Sequence, residues 1–277
     1  MILSIHTALW NQTWQDDVSP FLDDAKRLGF DGAEISLLGD EAGFIKLANR
    51  AKELGLTLTA TTGLGPDTDV GSADASVRRS GIDALRRAIR STSVLGSNLL
   101  SGVLYGAWGV KDPDRREDRL AYAAEAISLV ADEARDAGIV LGIEAINRYE
   151  TDLINTAEQA TEFVSSIGKD NVGVLLDAYH MNIEEKDPAQ AIRMTRDSLV
   201  HLHVAGRDRG VPARADLDHA GILQALHDIA FDGVVTCEMF LKANVAVSQD
   251  LTVWRDIEPD PTEAARRAQE ILSGWLQ

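Results

Sequence analysis

The sequence is poor in cysteine, proline and aromatic residues, and it has no long apolar run. The single cysteine, Cys237, cannot form a disulfide within the chain, which favours a reducing compartment and a cytoplasmic location. The first residues, MILSIHTALWNQTW, lack the basic start and the apolar core of a signal peptide. Nowhere do about 18 apolar residues follow one another, so the sequence predicts no transmembrane helix.

Positive charge is scarce as well. The 277 residues include 27 Lys and Arg against 44 Asp and Glu, which gives a net charge of −17 and a pI near 4.7. A surface this acidic repels phosphate backbones and anionic lipids. We therefore expect neither nucleic acid nor a membrane as partner, and a DNA-repair endonuclease is disfavoured for the same reason.

The sequence does contain a regular alternation of short β-type runs with longer amphipathic helical stretches. Eight such units favour a closed (β/α)8 TIM barrel over the runner-up, a doubly wound open sheet. No linker-like segment divides the chain, so we expect one domain over residues 1–277. The predicted strands are 3–6, 32–36, 57–61, 98–104, 140–146, 172–177, 199–204 and 233–239.

Two predicted connections are longer than the others, namely 63–72 after the third strand and 240–260 after the eighth. Long connections in compact domains are usually functional loops. Because both follow a strand, we expect them at the carboxyl-end face of the barrel.

Acidic and histidine side chains stand near the ends of several predicted strands. In a parallel barrel these ends meet at one rim, where active sites are built. Several carboxylates cannot all stay ionised in a partly buried mouth without a compensating charge. We therefore predict a site for a divalent cation with oxygen and imidazole ligands, a set that suits Mn²⁺, Mg²⁺ or Co²⁺. The predicted ligands are Glu144, Asp177, His203 and Glu238.

Other residues near these ends have a structural as well as a functional interpretation. His201 shares a strand face with His203 but lies deeper in the strand, and Glu34 is expected to orient a neighbour. Tryptophan usually packs in a core, yet three tryptophans follow predicted strand ends, where aromatic faces can pack against sugars. These three are Trp10, Trp14 and Trp108.

Several segments together resemble one family almost from end to end. They are IEAINRYETDLINTAEQA, VGVLLDAYHMNIEE, HLHVAGRDR, CEMF, VWRD and the loop-and-helix segment DTDVGSADASVRRSGI. The sequence resembles the ketose 3-epimerases of the xylose isomerase-like barrel superfamily, which include D-tagatose, D-psicose (allulose) and L-ribulose 3-epimerases.

This resemblance implies a metal-dependent isomerase that inverts C3 of a free ketose through a cis-enediolate. It implies that Glu144 and Glu238 act as the acid–base pair as well as ligands of one divalent ion per subunit, with Mn²⁺ the expected ion and Co²⁺ or Mg²⁺ as alternatives. It also implies a homodimer or homotetramer. The residues that it assigns to the ketose are Glu150, His180, Arg209, Trp10 and Trp108.

The sequence departs from the family pattern in two places. Gly206, in HVAGRDRGVPARADLD, stands where the family commonly has Glu, and Thr7, Ala8 and Leu9 replace aromatic residues. Both departures bear on selectivity, so the preferred ketose is not predicted. An aldose–ketose isomerase of the hydroxypyruvate isomerase type is the alternative function. A non-catalytic sugar-binding protein is a further alternative, but such a protein needs no pair of opposed proton carriers.

Overall fold

The computed structural model describes residues 1–38, 41–212 and 218–276. Eight parallel strands follow one another around a closed barrel in sequence order, and the first strand pairs with the last. The predicted (β/α)8 barrel is therefore confirmed, and its closure supports the proposal that residues 1–277 form one domain. The strands are β1 (Ile2–His6), β2 (Gly32–Ser36), β3 (Thr57–Thr61), β4 (Leu99–Gly102), β5 (Val140–Glu144), β6 (Val172–Asp177), β7 (Leu199–Val204) and β8 (Val234–Cys237).

Helices surround the barrel, and their ends follow local sequence signals. One begins with a capping box, in which the Thr156 hydroxyl accepts from the Gln159 N–H and the Gln159 side chain accepts from the Thr156 N–H. Others end at a glycine in the left-handed region, such as Gly29 and Gly96. The described α-helices are α1 (Ser19–Leu28), α2 (Glu41–Leu54), α3 (Ala75–Leu95), α4 (Arg116–Asp136), α5 (Ala157–Ile167), α6 (Ala178–Glu184), α7 (Pro188–Thr195), α8 (His219–Asp228), α9 (Ala246–Asp250) and α10 (Pro261–Leu276).

Three strands end earlier than the sequence predicts, namely β4, β5 and β8, and β5 stops at Glu144 instead of Ile146. β4 stops at Gly102 because this residue has a φ of 120° and lies so close to Thr62 that an added Cβ would meet its carbonyl oxygen at 2.2 Å. β8 stops at Cys237, so Glu238 lies one residue beyond the strand. The Glu238 N–H still donates to the Val204 carbonyl at 3.1 Å, which holds Glu238 beside the end of β7.

The two long connections lie at the carboxyl ends of their strands, as expected. The connection after β3 contains a short 3-10 turn, Pro66–Thr68, and the connection after β8 contains α9. Residues 213–217 of the segment HVAGRDRGVPARADLD lie outside the described residues. Among the helices of the described ranges, none combines the length and the apolar character that crossing a bilayer requires.

Candidate active site

Three of the predicted metal ligands form one buried cluster. Glu144 and Asp177 are the last residues of β5 and β6, and His203 lies one residue before the end of β7. Each offers one ligand atom, and these three atoms all lie within 4.8 Å of one another. The fourth predicted ligand, Glu238, lies beside this cluster, with its Oε2 3.5 Å from His203 Nδ1. Four neighbouring strands therefore deliver the four side chains to one place.

Glu34 on β2 fixes the imidazole of His203. The Nε2 of His203 lies 3.1 Å from Glu34 Oε2 in a fully buried hydrogen bond. With Nε2 bonded to this carboxylate, the other ring nitrogen, Nδ1, is left for the cluster. A carboxylate that accepts from the far nitrogen of a ligand histidine is a common arrangement around protein-bound metals. This hydrogen bond supports the orienting role that the sequence predicted for Glu34.

A second group of candidate ligands consists of Glu34, His201 and His203. Both ring nitrogens of His201, however, already have hydroxyl partners: Nδ1 lies 3.0 Å from Ser101 Oγ, and Nε2 lies 2.8 Å from Thr236 Oγ1. His201 is therefore better explained as a hydrogen-bonded part of the barrel interior. The geometry favours the cluster at the strand ends.

The electrostatics of the cluster suit a cation. Burial, together with the neighbouring carboxylates, raises the pKa of Glu144 and of Asp177. Burial alone would lower the pKa of His203, but the charges of Glu34 and Glu238 raise it well above its ordinary value. Asp177 Oδ2 and His203 Nδ1 are buried and have no hydrogen-bond partner among the described residues. Orphaned ligand atoms in a negative field fit a divalent ion with oxygen and nitrogen ligands.

A second set of polar side chains adjoins the cluster. Glu150 accepts from Arg209 Nη2 at 3.0 Å through Oε1 and from Trp108 Nε1 at 2.9 Å through Oε2. Burial raises the pKa of Glu150, but nearby positive charge, of which Arg209 is the permanent part, and hydrogen bonds from Trp108 and Asn147 outweigh burial and lower it. Arg209 is buried, and its guanidinium stacks 4.0 Å above the Tyr179 ring.

Asn147 fixes the protonation of His180, and sequence reasoning did not identify this residue. The backbone N–H of Asn147 donates to His180 Nδ1 at 3.1 Å, and its side-chain Nδ2 lies 2.8 Å from the same atom. Because Nδ1 accepts from the Asn147 N–H, the proton of a neutral ring lies on Nε2, and burial favours the neutral ring by lowering the pKa of His180. That atom is 3.9 Å from Glu144 Oε1 and 3.8 Å from Asp177 Oδ2. His180 can therefore donate a hydrogen bond next to the cluster.

A cavity of about 440 Å³ opens above these groups. This volume falls within the range of small-molecule sites, about 300–1,000 Å³. Gly63 and Gly65 of one long connection and Leu251 of the other contribute to its walls. The predicted site residues that bound it are Glu144, Glu150, His180, Arg209, Glu238 and Trp108.

The structure changes which tryptophans line the cavity. Trp10 is absent from the described residues that bound the cavity. Its ring stacks on Phe21 at a centroid distance of 5.4 Å, and its Nε1 donates to Thr262 Oγ1 at 3.1 Å. Trp14 bounds the cavity instead. Trp10 thus packs between α1 and the start of α10.

Two further residues of the wall were missed by sequence reasoning. His6 is the last residue of β1, so its strand-end position was an available signal. Phe240 follows β8, and the sequence had no sign that its ring would lie near His6, at a centroid distance of 6.0 Å.

With this geometry in hand, comparison with known proteins identifies the family. The model of the family described as "Xylose isomerase-like TIM barrel" matches residues 22–272. The chain belongs to this family. The family predicted from the sequence motifs is therefore confirmed, and with it the prediction of an enzyme of the isomerase class.

Relatives in this family of xylose isomerase-like TIM barrels match nearly the whole chain. The D-psicose 3-epimerase of Enterocloster bolteae is 35% identical over 274 residues, which cover 96% of this chain and 91% of that protein. The L-ribulose 3-epimerase of Mesorhizobium japonicum is 30% identical, covering 99% of this chain and 94% of that protein. A crystal structure of a D-psicose 3-epimerase in the presence of D-fructose superposes with a TM-score of 0.94 at 32% identity, covering 100% of this chain and 99% of that one.

Proposed function

We propose that this protein is a metal-dependent epimerase that inverts C3 of free ketoses. The observation that carries the proposal is the convergence of Glu144, Asp177, His203 and Glu238 from four neighbouring strand ends beneath a sugar-sized cavity. The names of the near-full-length relatives, which are D-psicose and L-ribulose 3-epimerases, support the same reaction.

These four side chains would hold one divalent cation per subunit, with Mn²⁺ the expected ion and Co²⁺ or Mg²⁺ as alternatives. Three carboxylates and one imidazole nitrogen are ligands that such ions accept. A bound divalent cation supplies Lewis-acid stabilisation of the negative charge on the ketose oxygens when C3 loses its proton.

Proton transfer at C3 is assigned to Glu144 and Glu238. Epimerisation removes the C3 proton from one face of the sugar and returns a proton to the other face, which a single fixed base cannot do. Glu144 ends β5 and Glu238 follows β8, and both bound the cavity, so they approach it from different strands. One carboxylate accepts the proton and leaves a cis-enediolate, and the carboxyl group of the other donates to the opposite face.

The second set of polar residues would bind and orient the O1 to O3 end of the ketose. The His180 Nε2–H can donate to a substrate oxygen, and Glu150 can accept from a hydroxyl. Arg209 is held by Glu150 and by the Tyr179 ring, so its fixed charge can stabilise developing negative charge on an oxygen. Fixing the orientation of a reactant in this way lowers the barrier without any further chemistry.

The decisive experiment is a panel of D- and L-ketoses assayed with added Mn²⁺ or Co²⁺ in heavy water. We expect interconversion of C3 epimers, deuterium at C3 of the recovered sugar, and loss of activity with a chelator that added metal restores. Deuterium at C1 or C2 would instead identify an aldose–ketose isomerase. Absence of exchange at any carbon would overturn the enzymatic proposal.

A homodimer or homotetramer is proposed from the family resemblance, and light scattering tests it.

A further inference from the structure

A second cavity adjoins the active-site cavity and has no part in the proposed reaction. It lies between the segment after β1 and the start of α2, and its volume is about 710 Å³. Three residues bound both cavities, namely Trp14, Ser36 and Leu38. Leu38 is 45% exposed, and the Trp14 indole is held by a hydrogen bond from Nε1 to Asp250 Oδ2 at 2.8 Å.

The shared wall lies across the barrel from two of the three residues assigned to O1 to O3 of the ketose. Glu150 follows β5, and His180 lies just after β6, whereas Trp14 follows β1 and Ser36 ends β2. In the closed order of eight strands, β1 and β2 are three or four strands away from β5 and β6. A ketose held by its O1 end at β5 and β6 therefore points its C4 to C6 end towards the shared wall and the second cavity.

The second cavity has the chemistry of a site for a neutral, hydroxylated group. Asn11 bounds it and is only 4% exposed, and its Oδ1 has no hydrogen-bond partner among the described residues. A buried, unpaired amide oxygen costs free energy unless a ligand or water donates to it. Trp14 adds an aromatic surface of the kind that packs against the C–H face of a sugar.

Charge in this cavity disfavours an anionic occupant. Asp16 and Asp17 both bound it, and Lys46 is the one cationic side chain among the described residues of its wall. Lys46 Nζ is already paired with Asp17 Oδ2 at 2.7 Å. A phosphorylated sugar would therefore meet net negative charge and, among the described residues of the wall, no unpaired cation.

We propose that the second cavity is a subsite for a glycosyl unit attached to the C4 to C6 end of the ketose, so that the enzyme also epimerises glycosylated ketoses. This inference rests on the proposed epimerase function. The ketose end of such a substrate occupies the active-site cavity, and the glycosidic linkage passes Trp14 and Leu38. A hydroxyl group of the second sugar donates a hydrogen bond to Asn11 Oδ1.

The test compares kcat/KM for three substrates with the Mn²⁺-loaded enzyme: D-fructose, 6-O-α-D-glucopyranosyl-D-fructose and D-fructose 6-phosphate. The Ala42→Trp variant places a bulky side chain at an exposed position on the cavity wall. We expect it to lower kcat/KM for the glucosylated ketose by about tenfold, because the indole would occupy space that the glycosyl unit needs; tenfold corresponds to about 1.4 kcal/mol. The value for D-fructose should stay near wild type.

Two more variants complete the design. Ile45→Trp, at an exposed position of the same helix that does not bound the cavity, is the matched control and should leave all three substrates unaffected. Asn11→Ala should lower kcat/KM for the glucosylated ketose by about two- to tenfold through a higher KM, the value of one hydrogen bond.

The outcomes separate this proposal from the one it rests on. If D-fructose and the other free ketoses are not epimerised, the proposed function fails. If free ketoses are epimerised but the glucosylated ketose is not, or if Ala42→Trp affects it no more than Ile45→Trp does, the subsite alone is refuted. A preference for the 6-phosphate over the glucosylated ketose would also refute the subsite.

Discussion

Replacing Glu34 with Gln tests whether a buried carboxylate on β2 prepares His203 to bind metal. The substitution keeps the shape of the side chain and removes its charge, while the hydrogen bond from His203 Nε2 at 3.1 Å can persist. A hydrogen bond to a charged group contributes about 1.5–3 kcal/mol, and a neutral one about 0.5–1.5 kcal/mol. The loss is therefore about 1–1.5 kcal/mol, or roughly tenfold in Mn²⁺ affinity.

The assay is a titration of the Glu34→Gln protein with Mn²⁺, followed by calorimetry or by the electron paramagnetic resonance signal of the free ion. Glu34 Oε1 has no hydrogen-bond partner among the described residues, so the new amide group would also be left unpaired. This costs about 1–3 kcal/mol of stability, and circular dichroism must show a folded protein at the assay temperature.

Glu53→Gln is the matched control, because the Glu53 side chain is 64% exposed and, within the part of the chain that the structure describes, pairs only with Arg50 across one turn of α2. It should leave Mn²⁺ affinity unchanged. Mn²⁺ binding by folded Glu34→Gln that equals the binding of the wild-type protein would refute the argument that Glu34 holds His203 for the metal.

Three further predictions follow from the site. Glu144→Gln and Glu238→Gln should each lower kcat by about 10²–10⁴-fold in a folded protein, as expected for loss of a general acid or base; near-wild-type turnover by either variant would rule out the two-carboxylate mechanism. Arg209→Lys should lower kcat/KM about tenfold with Mn²⁺ affinity unchanged, because lysine cannot both stack on Tyr179 and reach Glu150; a lysine variant with full kcat/KM would show that the fixed guanidinium is dispensable. Trp108→Phe should lower kcat/KM by removing the hydrogen bond to Glu150, whereas Trp10→Phe should leave kinetics near wild type; the reverse order of effects in steady-state assays would contradict the cavity wall described above.

Much of the fold could be predicted from the sequence because its signals are local. Buried parallel strands appear as short apolar runs, and glycines such as Gly96 mark helix ends. The predicted strand ends are wrong where a contact with a residue distant in sequence determines the end of the strand. β4 ends at Gly102, where the Thr62 carbonyl of the neighbouring segment lies close to the Gly102 backbone. No residue near Gly102 in the sequence indicates this contact.

In the site, too, residues marked by local sequence signals could be predicted, and residues whose role depends on distant contacts could not. The strand-end rule located Glu144 and Asp177, since a parallel barrel brings all strand ends to one rim. It could not locate Asn147, whose role depends on the position of His180, 33 residues later in the chain. Nor could it separate Trp10 from Trp14, because both follow β1, and distant contacts of Trp10 with Phe21 and Thr262 turn its ring away from the cavity.

The most direct test of the account is an anomalous diffraction map of crystals grown with Mn²⁺. We expect one manganese peak per subunit, coordinated by Glu144, Asp177, His203 Nδ1 and Glu238. A peak enclosed by Glu34, His201 and His203, or a map with no manganese between the ends of β5, β6, β7 and β8, would contradict it.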